Sequence, residues 1–126
     1  MKIALVMAGN EDGGLEKHVM DLANGLAARG HDVQCVAHAR YADGLSSAVQ
    51  HVRLNLAGSR WNLWLLLQLI WVIRKNAPDI AHAHGGKAIA MMGLITRFLP
   101  MPWVATVHGF KRRYRGLNQA ARVIAV

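Results

Sequence analysis

The chain has 126 residues, about the length of one domain, and 53% of them are hydrophobic, which excludes a globally disordered protein. Fifteen basic and seven acidic residues give a formal net charge of +8, so we expect an anionic partner: nucleic acid, anionic lipid or a phosphorylated small molecule. The single cysteine, Cys35, excludes a cysteine-based zinc cluster, indicates a reduced intracellular protein and is interpreted as a buried core residue. No apolar run reaches the roughly 18 to 20 residues that span a bilayer.

The first third of the chain predicts two buried strands joined by an amphipathic helix. Lys2 to Ala8 is a continuous apolar stretch, typical of a strand inside a parallel sheet. From Leu15, apolar residues recur at spacings of three and four, which predicts a helix closed by Arg29-Gly30. Asp32 to His38 is the second buried strand, and Asp43-Gly44 predicts a turn.

The remaining sequence continues the alternation of strands and helices. Val52, Leu54 and Leu56 alternate with polar residues, as in a half-exposed edge strand. The later predicted elements are a helix over Trp61 to Asn76, stopped by Pro78, a strand over Ile80 to His84, a helix over Lys87 to Phe98, and strands over Trp103 to His108 and Arg122 to Val126. This order predicts an α/β domain with a doubly wound, Rossmann-like parallel sheet. Because the sequence ends on an uncovered apolar strand, we expect a truncated domain.

Three polar turns each follow an apolar strand: residues 9–14, 82–86 and 106–109. In open α/β sheets, ligands bind outside the carboxyl ends of the strands, above all where the strand order reverses. Since the ends of parallel strands lie at one edge of the sheet, we expect the three turns to form a single cleft.

The first turn has two glycines at the start of a helix. Gly13 and Gly14 lack Cβ atoms and would let a ligand approach backbone N–H groups at the positive end of the helix. Glu11 and Asp12 would repel a bare phosphate, so a sugar hydroxyl, or a phosphate shared with a basic partner domain, fits better. The spacing differs from the dinucleotide-binding fingerprint, and an ordinary turn is the alternative.

Histidines mark the second and third turns. His82 and His84 lie on the same face of a strand; we expect His84 to bind ligand and His82 to be packed in the core. A third metal ligand of suitable spacing is not evident, so we predict no metal site. Lys87, in the following helical turn, either meets a phosphate or is solvated. His108, before Gly109, would hydrogen-bond a substrate hydroxyl or carry a proton; the alternative is a surface histidine on a loop.

The loop after the third turn is strongly basic. Lys111, Arg112, Arg113 and Arg115 lie beside two aromatic residues, which suits a phosphorylated or membrane-borne acceptor, nucleic acid, or simply solvent. Specific nucleic-acid binding is disfavoured because the sequence has no groove-reading motif.

The predicted helix over residues 61–76 is unusually apolar. Trp61, Trp64 and Trp71 share one face, and Arg74-Lys75 follow at its end. This combination is typical of a helix lying in a membrane interface, but packing in the core or against another domain gives the same pattern.

Four segments, in order, resemble the retaining glycosyltransferases of family four. They are residues 13–33, Pro78 to His84, Ala105 to Gly109 and Ala121 to Val126. The resemblance implies a GT-B architecture of two Rossmann-like domains facing across a cleft, with residues 1–126 as the N-terminal, acceptor-side domain and the C-terminal donor-binding domain absent. It also implies sugar transfer from a nucleotide-diphosphate donor to an acceptor hydroxyl, with retained anomeric configuration and without a cofactor or metal ion.

The same resemblance assigns residues to the site. Gly13 and Gly14 match the loop near the donor diphosphate and acceptor, His108 matches the histidine that contacts the transferred sugar or acceptor, and Glu16 would stabilise the junction between loop and helix. The family's main donor-binding residues lie in its second domain and have no counterpart here, so we expect this chain alone to be inactive.

The partners and location of the protein are further expectations. The basic loop and the tryptophan-rich helix favour a lipid-linked or cell-envelope glycan acceptor, met by a cytoplasmic protein peripheral to the inner face of the membrane. A non-catalytic module that binds an anionic ligand or a membrane surface is the alternative.

Overall fold

The computed structural model describes residues 1–9, 13–56 and 62–107, and the backbone of 122–125. Its elements, in chain order, are β1 (Lys2–Met7), α1 (Gly14–Ala28), β2 (Asp32–Ala37), a 3-10 helix (Ala39–Gly44), β3 (Val49–Arg53), α2 (Leu63–Asn76), β4 (Ile80–His84), α3 (Gly86–Ile95), β5 (Trp103–Val107) and β6 (Arg122–Ala125). The predicted order of strands and helices is therefore confirmed.

The six strands form one parallel sheet in the order β3-β2-β1-β4-β5-β6. The chain starts in the middle of the sheet, moves outward through β2 to β3, and returns to place β4 on the other side of β1. The strand order therefore reverses between β1 and β4. This confirms the doubly wound, Rossmann-like α/β fold and fixes the reversal point at these two strands.

Two hydrophobic clusters cover the two faces of the sheet. Alternation along β1 divides its side chains between them: Ala4 and Val6 join the cluster under α2 and α3, whereas Leu5 and Met7 join the cluster under α1. Since β1 is buried on both faces, its sequence is continuously apolar, as expected for a central parallel strand.

The region after β2 differs from the prediction in two ways. The predicted turn at Asp43-Gly44 is the end of a 3-10 helix, and the edge strand β3 begins at Val49, before the predicted alternation at residues 52–56. The Asn24 side chain of α1 donates a hydrogen bond to the Gly44 carbonyl at 2.9 Å and accepts one from the Ser46 backbone N–H at 2.8 Å. This tertiary anchor holds the segment before β3 against α1, and it has no counterpart in local hydrophobic periodicity.

Helix α3 ends at Ile95, three residues before the predicted Phe98. The Thr96 hydroxyl donates a hydrogen bond to the Met92 carbonyl at 2.7 Å, so a side chain satisfies one of the last carbonyls of the helix. Phe98 lies beyond this end and is exposed. Helix α2 starts at Leu63, and Trp61 lies outside the described residues.

None of the helices in the described ranges is both long enough and apolar enough to cross a membrane.

Cys35 is fully buried in the cluster under α1, as predicted. Burial disfavours the thiolate and raises the pKa of Cys35 to about 12.

The native Cys35 thiol should therefore resist alkylation. We expect iodoacetamide to leave it unmodified near pH 8.5, about the ordinary thiol pKa, because the folded chain holds the thiol protonated and out of contact with solvent. Mass spectrometry should show one added group only after unfolding in urea. Rapid stoichiometric labelling of the folded chain would contradict the buried position.

Candidate functional site

The crevice at the carboxyl edge of the sheet lies where β1 and β4 run side by side. Met7, the last residue of β1, pairs with His84, the last residue of β4. Beyond this pair the chain leaves β1 through Gly9 and leaves β4 through Gly85. Because the two strands are followed by helices on opposite faces of the sheet, their connections diverge and leave a crevice between them.

Two helices begin at this crevice with glycine caps. Gly13 precedes α1 and Gly85 precedes α3, and neither helix has a side-chain hydrogen bond at its cap. The first N–H groups of a helix have no partner within the helix, and they carry its positive partial charge. Both helix starts therefore suit a polar ligand at the reversal point of the sheet, and the start of α3, which has no acidic residue in its first turn, suits an anionic one.

The first and second turns are in direct contact. A Cβ atom placed on Gly85 would lie only 2.8 Å from Leu15 Cδ1, so the first turn of α1 packs directly against this glycine. One turn further along α1, the His18 ring lies 5.8 Å from the His84 ring, measured between centroids. The expected proximity of these two turns is confirmed. His108 and Gly109 of the third turn lie outside the described residues.

Gly85 adopts a backbone conformation that requires glycine. Its φ of 88° and ψ of 160° fall in a region that side-chain-bearing residues rarely enter. This backbone conformation disfavours a larger residue here, and a Cβ atom would also require the end of the Leu15 side chain to shift.

The two strand histidines share a face, as predicted, but their burial is the reverse of the prediction. His84 is only 1% exposed, whereas His82 is half-buried and its Nε2 lies 2.5 Å from the Thr106 hydroxyl. The two rings lie 4.0 Å apart between centroids. His84 is the more buried because the first turns of α1 cover the carboxyl end of β4. His82 is hydrogen-bonded, as expected of a satisfied histidine, but it is only half-buried, and His84 is the packed core residue of the pair. Ligand binding by His84 stays a prediction.

Glu16 is a buried carboxylate beside the first glycine turn. It is 8% exposed, and a Cβ atom on Gly13 would lie 2.8 Å from its Oε2, while one on Gly9 would overlap its Oε1. The absence of side chains at these two glycines leaves the space that the carboxylate fills. A negative charge in the first turn also complements the helix dipole of α1. The predicted role of Glu16 at the loop-to-helix junction is compatible with this position.

The other predicted site residues are placed as follows. Gly14 is exposed at the start of α1 and open to solvent, since no atom would lie within 4 Å of an added Cβ. Lys87 lies half-buried in the first turn of α3. The basic residues Lys111, Arg112, Arg113 and Arg115 lie outside the described residues. Within the described ranges, no group of three or more His, Cys, Asp or Glu side chains is arranged to hold a metal ion.

Two residues near the crevice were missed by sequence reasoning. His18 and Thr106 contact the strand histidines from α1 and β5, respectively. The signal for Thr106 was the register of β5, which places it opposite His84, but a register between strands is not readable from one sequence. His18 lies one helical turn after Leu15. Its contact with His84 depends on how α1 packs over β4, which one sequence does not give.

A family model links this geometry to a class of proteins. The model described as Glycosyltransferase Family 4 matches residues 12–126. This chain belongs to glycosyltransferase family 4. The expected family is thus confirmed over most of the sequence. Among curated proteins, no sequence matches this chain.

Several solved structures have a fold similar to that of this family 4 domain. MurG of Acinetobacter baumannii is 18% identical with a TM-score of 0.67, over 98% of this chain and 40% of that one. The calicheamicin glycosyltransferase CalG4 is 21% identical with a TM-score of 0.67, over 89% and 32%. Sucrose-phosphate synthase from Thermosynechococcus elongatus is 18% identical with a TM-score of 0.64, over 85% and 33%. These likenesses establish the Rossmann-like fold of a GT-B domain, and this chain spans two fifths or less of each structure.

Replacing Gly85 by alanine should destabilise the domain. We expect Gly85→Ala to lower the free energy of unfolding by about 1–3 kcal/mol, because alanine is strained at this φ and its Cβ meets Leu15. Gly25→Ala is the matched control: Gly25 lies within α1 with open space around it, so alanine should raise stability by about 0.5–1 kcal/mol. Urea unfolding followed by circular dichroism measures both. Equal effects would contradict the assigned conformation of Gly85.

Proposed function

We propose that this chain forms the acceptor-side half of a retaining glycosyltransferase, which moves a sugar from a nucleotide-diphosphate donor to an acceptor hydroxyl. The observation that carries the proposal is the crevice between β1 and β4, where the glycine-capped starts of α1 and α3 meet in a family 4 domain. Ligand binding at the reversal point of an open sheet is the general behaviour of such folds.

The chemistry of the crevice suits a sugar transfer. A departing nucleoside diphosphate gains negative charge as the glycosidic bond to the donor breaks, and helix N-termini stabilise such charge without a metal ion. Gly13 and Gly14 leave the first N–H groups of α1 accessible, and Lys87 adds a cation at the start of α3. We assign donor or acceptor binding to these residues together with His84 and Gly109.

His108 is the proposed catalytic residue of this half. Val107 ends β5 beside the end of β4 at the carboxyl edge of the sheet, and His108 is the next residue in the sequence. A histidine there contacts the transferred sugar or the acceptor hydroxyl through a ring nitrogen. Glu16 acts through the loop beside it and is a positioning residue.

A second domain completes the proposed site. This chain spans 40% of MurG and 32% of CalG4. We propose that the crevice described here is one wall of a cleft, that a donor-binding domain faces it and that residues 1–126 alone do not turn over a sugar nucleotide.

The acceptor proposed is a lipid-linked or cell-envelope glycan, met at the cytoplasmic face of the membrane. The net charge of +8 and the four cations at residues 111–115 support an anionic acceptor or surface. The same charge favours the alternative, a non-catalytic module for an anionic ligand, which predicts binding without transfer.

Activity should require both halves of the cleft. We expect no nucleoside diphosphate release by the 126-residue chain with a panel of sugar nucleotides, and release when a family 4 donor-binding domain is fused after Val126. Turnover by the chain alone would contradict the shared site. A folded chimera that binds donor but transfers to no glycan or lipid-linked acceptor would favour the non-catalytic alternative.

The proposed role of His108 is tested in the active chimera. We expect His108→Ala to reduce kcat by about 100-fold or more, because general acid–base or hydroxyl contacts at the reacting centre contribute on this scale. His31→Ala is the control: His31 precedes β2 and so lies at the opposite edge of the sheet. Similar kcat values for the two variants would contradict a catalytic role for His108.

A further inference from the structure

Helix α2 presents an exposed apolar face. Leu63 is 68% exposed, Trp64 66%, Leu67 49% and Trp71 61%, and the other exposed residues of α2 are the basic Arg74 and Lys75. At 3.6 residues per turn, these six side chains fall on one arc of about 120°. We call this surface the tryptophan face. A contiguous face of exposed apolar side chains, unlike single scattered ones, is typical of a binding site.

The opposite side of α2 is already used. Leu66, Leu69, Val72 and Ile73 are buried in the cluster beneath α2 and α3. This packing fixes the rotation of α2 about its own axis. A rotation that buried the exposed apolar side chains would expose Leu66, Leu69, Val72 and Ile73 instead. The described residues therefore leave the tryptophan face uncovered.

The charges on α2 indicate the chemistry of that partner. The helix carries no carboxylate, and its two cations both lie in its last turn. The Lys75 ammonium nitrogen lies 4.7 Å from the centre of the Trp71 ring, a cation–π contact at the edge of the apolar surface. Two copies of this face in contact would bring together cations with no carboxylate from α2 to offset them. Anionic lipid offers phosphates for the cations and acyl chains for the tryptophans.

The position of α2 separates its basic end from the crevice. Arg74 lines a hollow of about 250 Å³ with Pro78, which precedes β4, and Met101, which precedes β5. The basic end of α2 therefore lies at the amino edge of the sheet, opposite the carboxyl edge where the second half of a GT-B cleft would sit. A donor-binding domain facing the crevice would not by itself cover the basic end of α2.

We propose that the tryptophan face of α2 is a docking surface for an anionic phospholipid bilayer. The helix lies in the plane of the interface, with Leu63, Trp64, Leu67 and Trp71 at the acyl boundary. The Arg74 and Lys75 heads extend to the lipid phosphates while their stems stay on the apolar surface. Docking of this kind does not depend on sugar transfer, since vesicle binding needs neither donor nor acceptor.

Vesicle cosedimentation of the 126-residue chain tests the proposal. We expect binding to vesicles of phosphatidylcholine mixed with phosphatidylglycerol, weaker binding to phosphatidylcholine alone, and loss of the difference at high salt. Tryptophan emission should shift to shorter wavelength on binding and be quenched by brominated acyl chains.

Matched variants assign the binding to α2. Trp64→Gln with Trp71→Gln should weaken binding about tenfold or more, whereas Trp64→Phe with Trp71→Phe should retain much of it. Arg74→Gln with Lys75→Gln should weaken binding to anionic vesicles about thirtyfold at low salt. Arg29→Gln with Arg53→Gln removes the same charge from exposed positions outside α2 and should have a much smaller effect. Circular dichroism melting curves establish that each variant is folded.

Several outcomes would overturn the docking surface. They are the absence of vesicle binding, equal binding to neutral and anionic vesicles, or an equal loss of binding in the Arg74/Lys75 and Arg29/Arg53 glutamine variants. Binding that depends on Arg112, Arg113 and Arg115 but not on Trp64 and Trp71 would place docking on the basic loop instead. If sedimentation velocity shows a dimer, and Trp64→Gln with Trp71→Gln converts it to a monomer, a second copy of the chain is the occupant. Failure of the transferase chimera would leave all these readouts unchanged.

Discussion

The pairing of β1 with β4 is the constraint on which the candidate site depends. These two strands are distant in sequence, and between them the chain builds a helix, a strand, a 3-10 helix, a second strand and a second helix. Their adjacency makes the strand order reverse and brings Gly9 and Gly85 to one crevice. The contact between Leu15 and Gly85 then fixes α1 over the end of β4. One strand pair and one close approach thus define the geometry on which the proposed chemistry relies.

Hydrophobic patterning was sufficient for the fold because strands and helices differ in the spacing of their apolar residues. Lys2 to Met7 is buried on both faces and continuously apolar, whereas half-buried and buried residues alternate over the first four residues of Ile80 to His84. The positions of the turns followed from the ends of these strands. The convergence of the first two turns was predictable for the same reason: parallel strands of one sheet end at one edge.

Side-chain environments within the site were less predictable. Period-two alternation places His82 and His84 on one face, but it does not say which of them α1 covers. Which histidine is covered depends on the angle at which α1 crosses the sheet and on its position along β4. Contacts such as that of Leu15 with Gly85 set both. The Asn24 side chain likewise bonds to Gly44 and Ser46, which joins α1 to the segment before β3, about twenty residues away. Tertiary contacts of single polar or glycine residues leave little trace in a local pattern.

The short corner between α2 and β4 has a consequence for the far edge of the sheet. Ala77 closes α2 in the left-handed region with φ of 45°, Pro78 follows, and the Asp79 carboxylate accepts a hydrogen bond from the Lys2 backbone N–H at 2.8 Å. Because this connection is short and is hydrogen-bonded to the start of β1, it fixes the register of β4 against β1. Because β4 has only five residues, a rise of about 17 Å, any one-residue shift at the corner would displace His84 from Met7 and turn it to the other face. The alignment of the crevice is thus determined at the end of the strand remote from it.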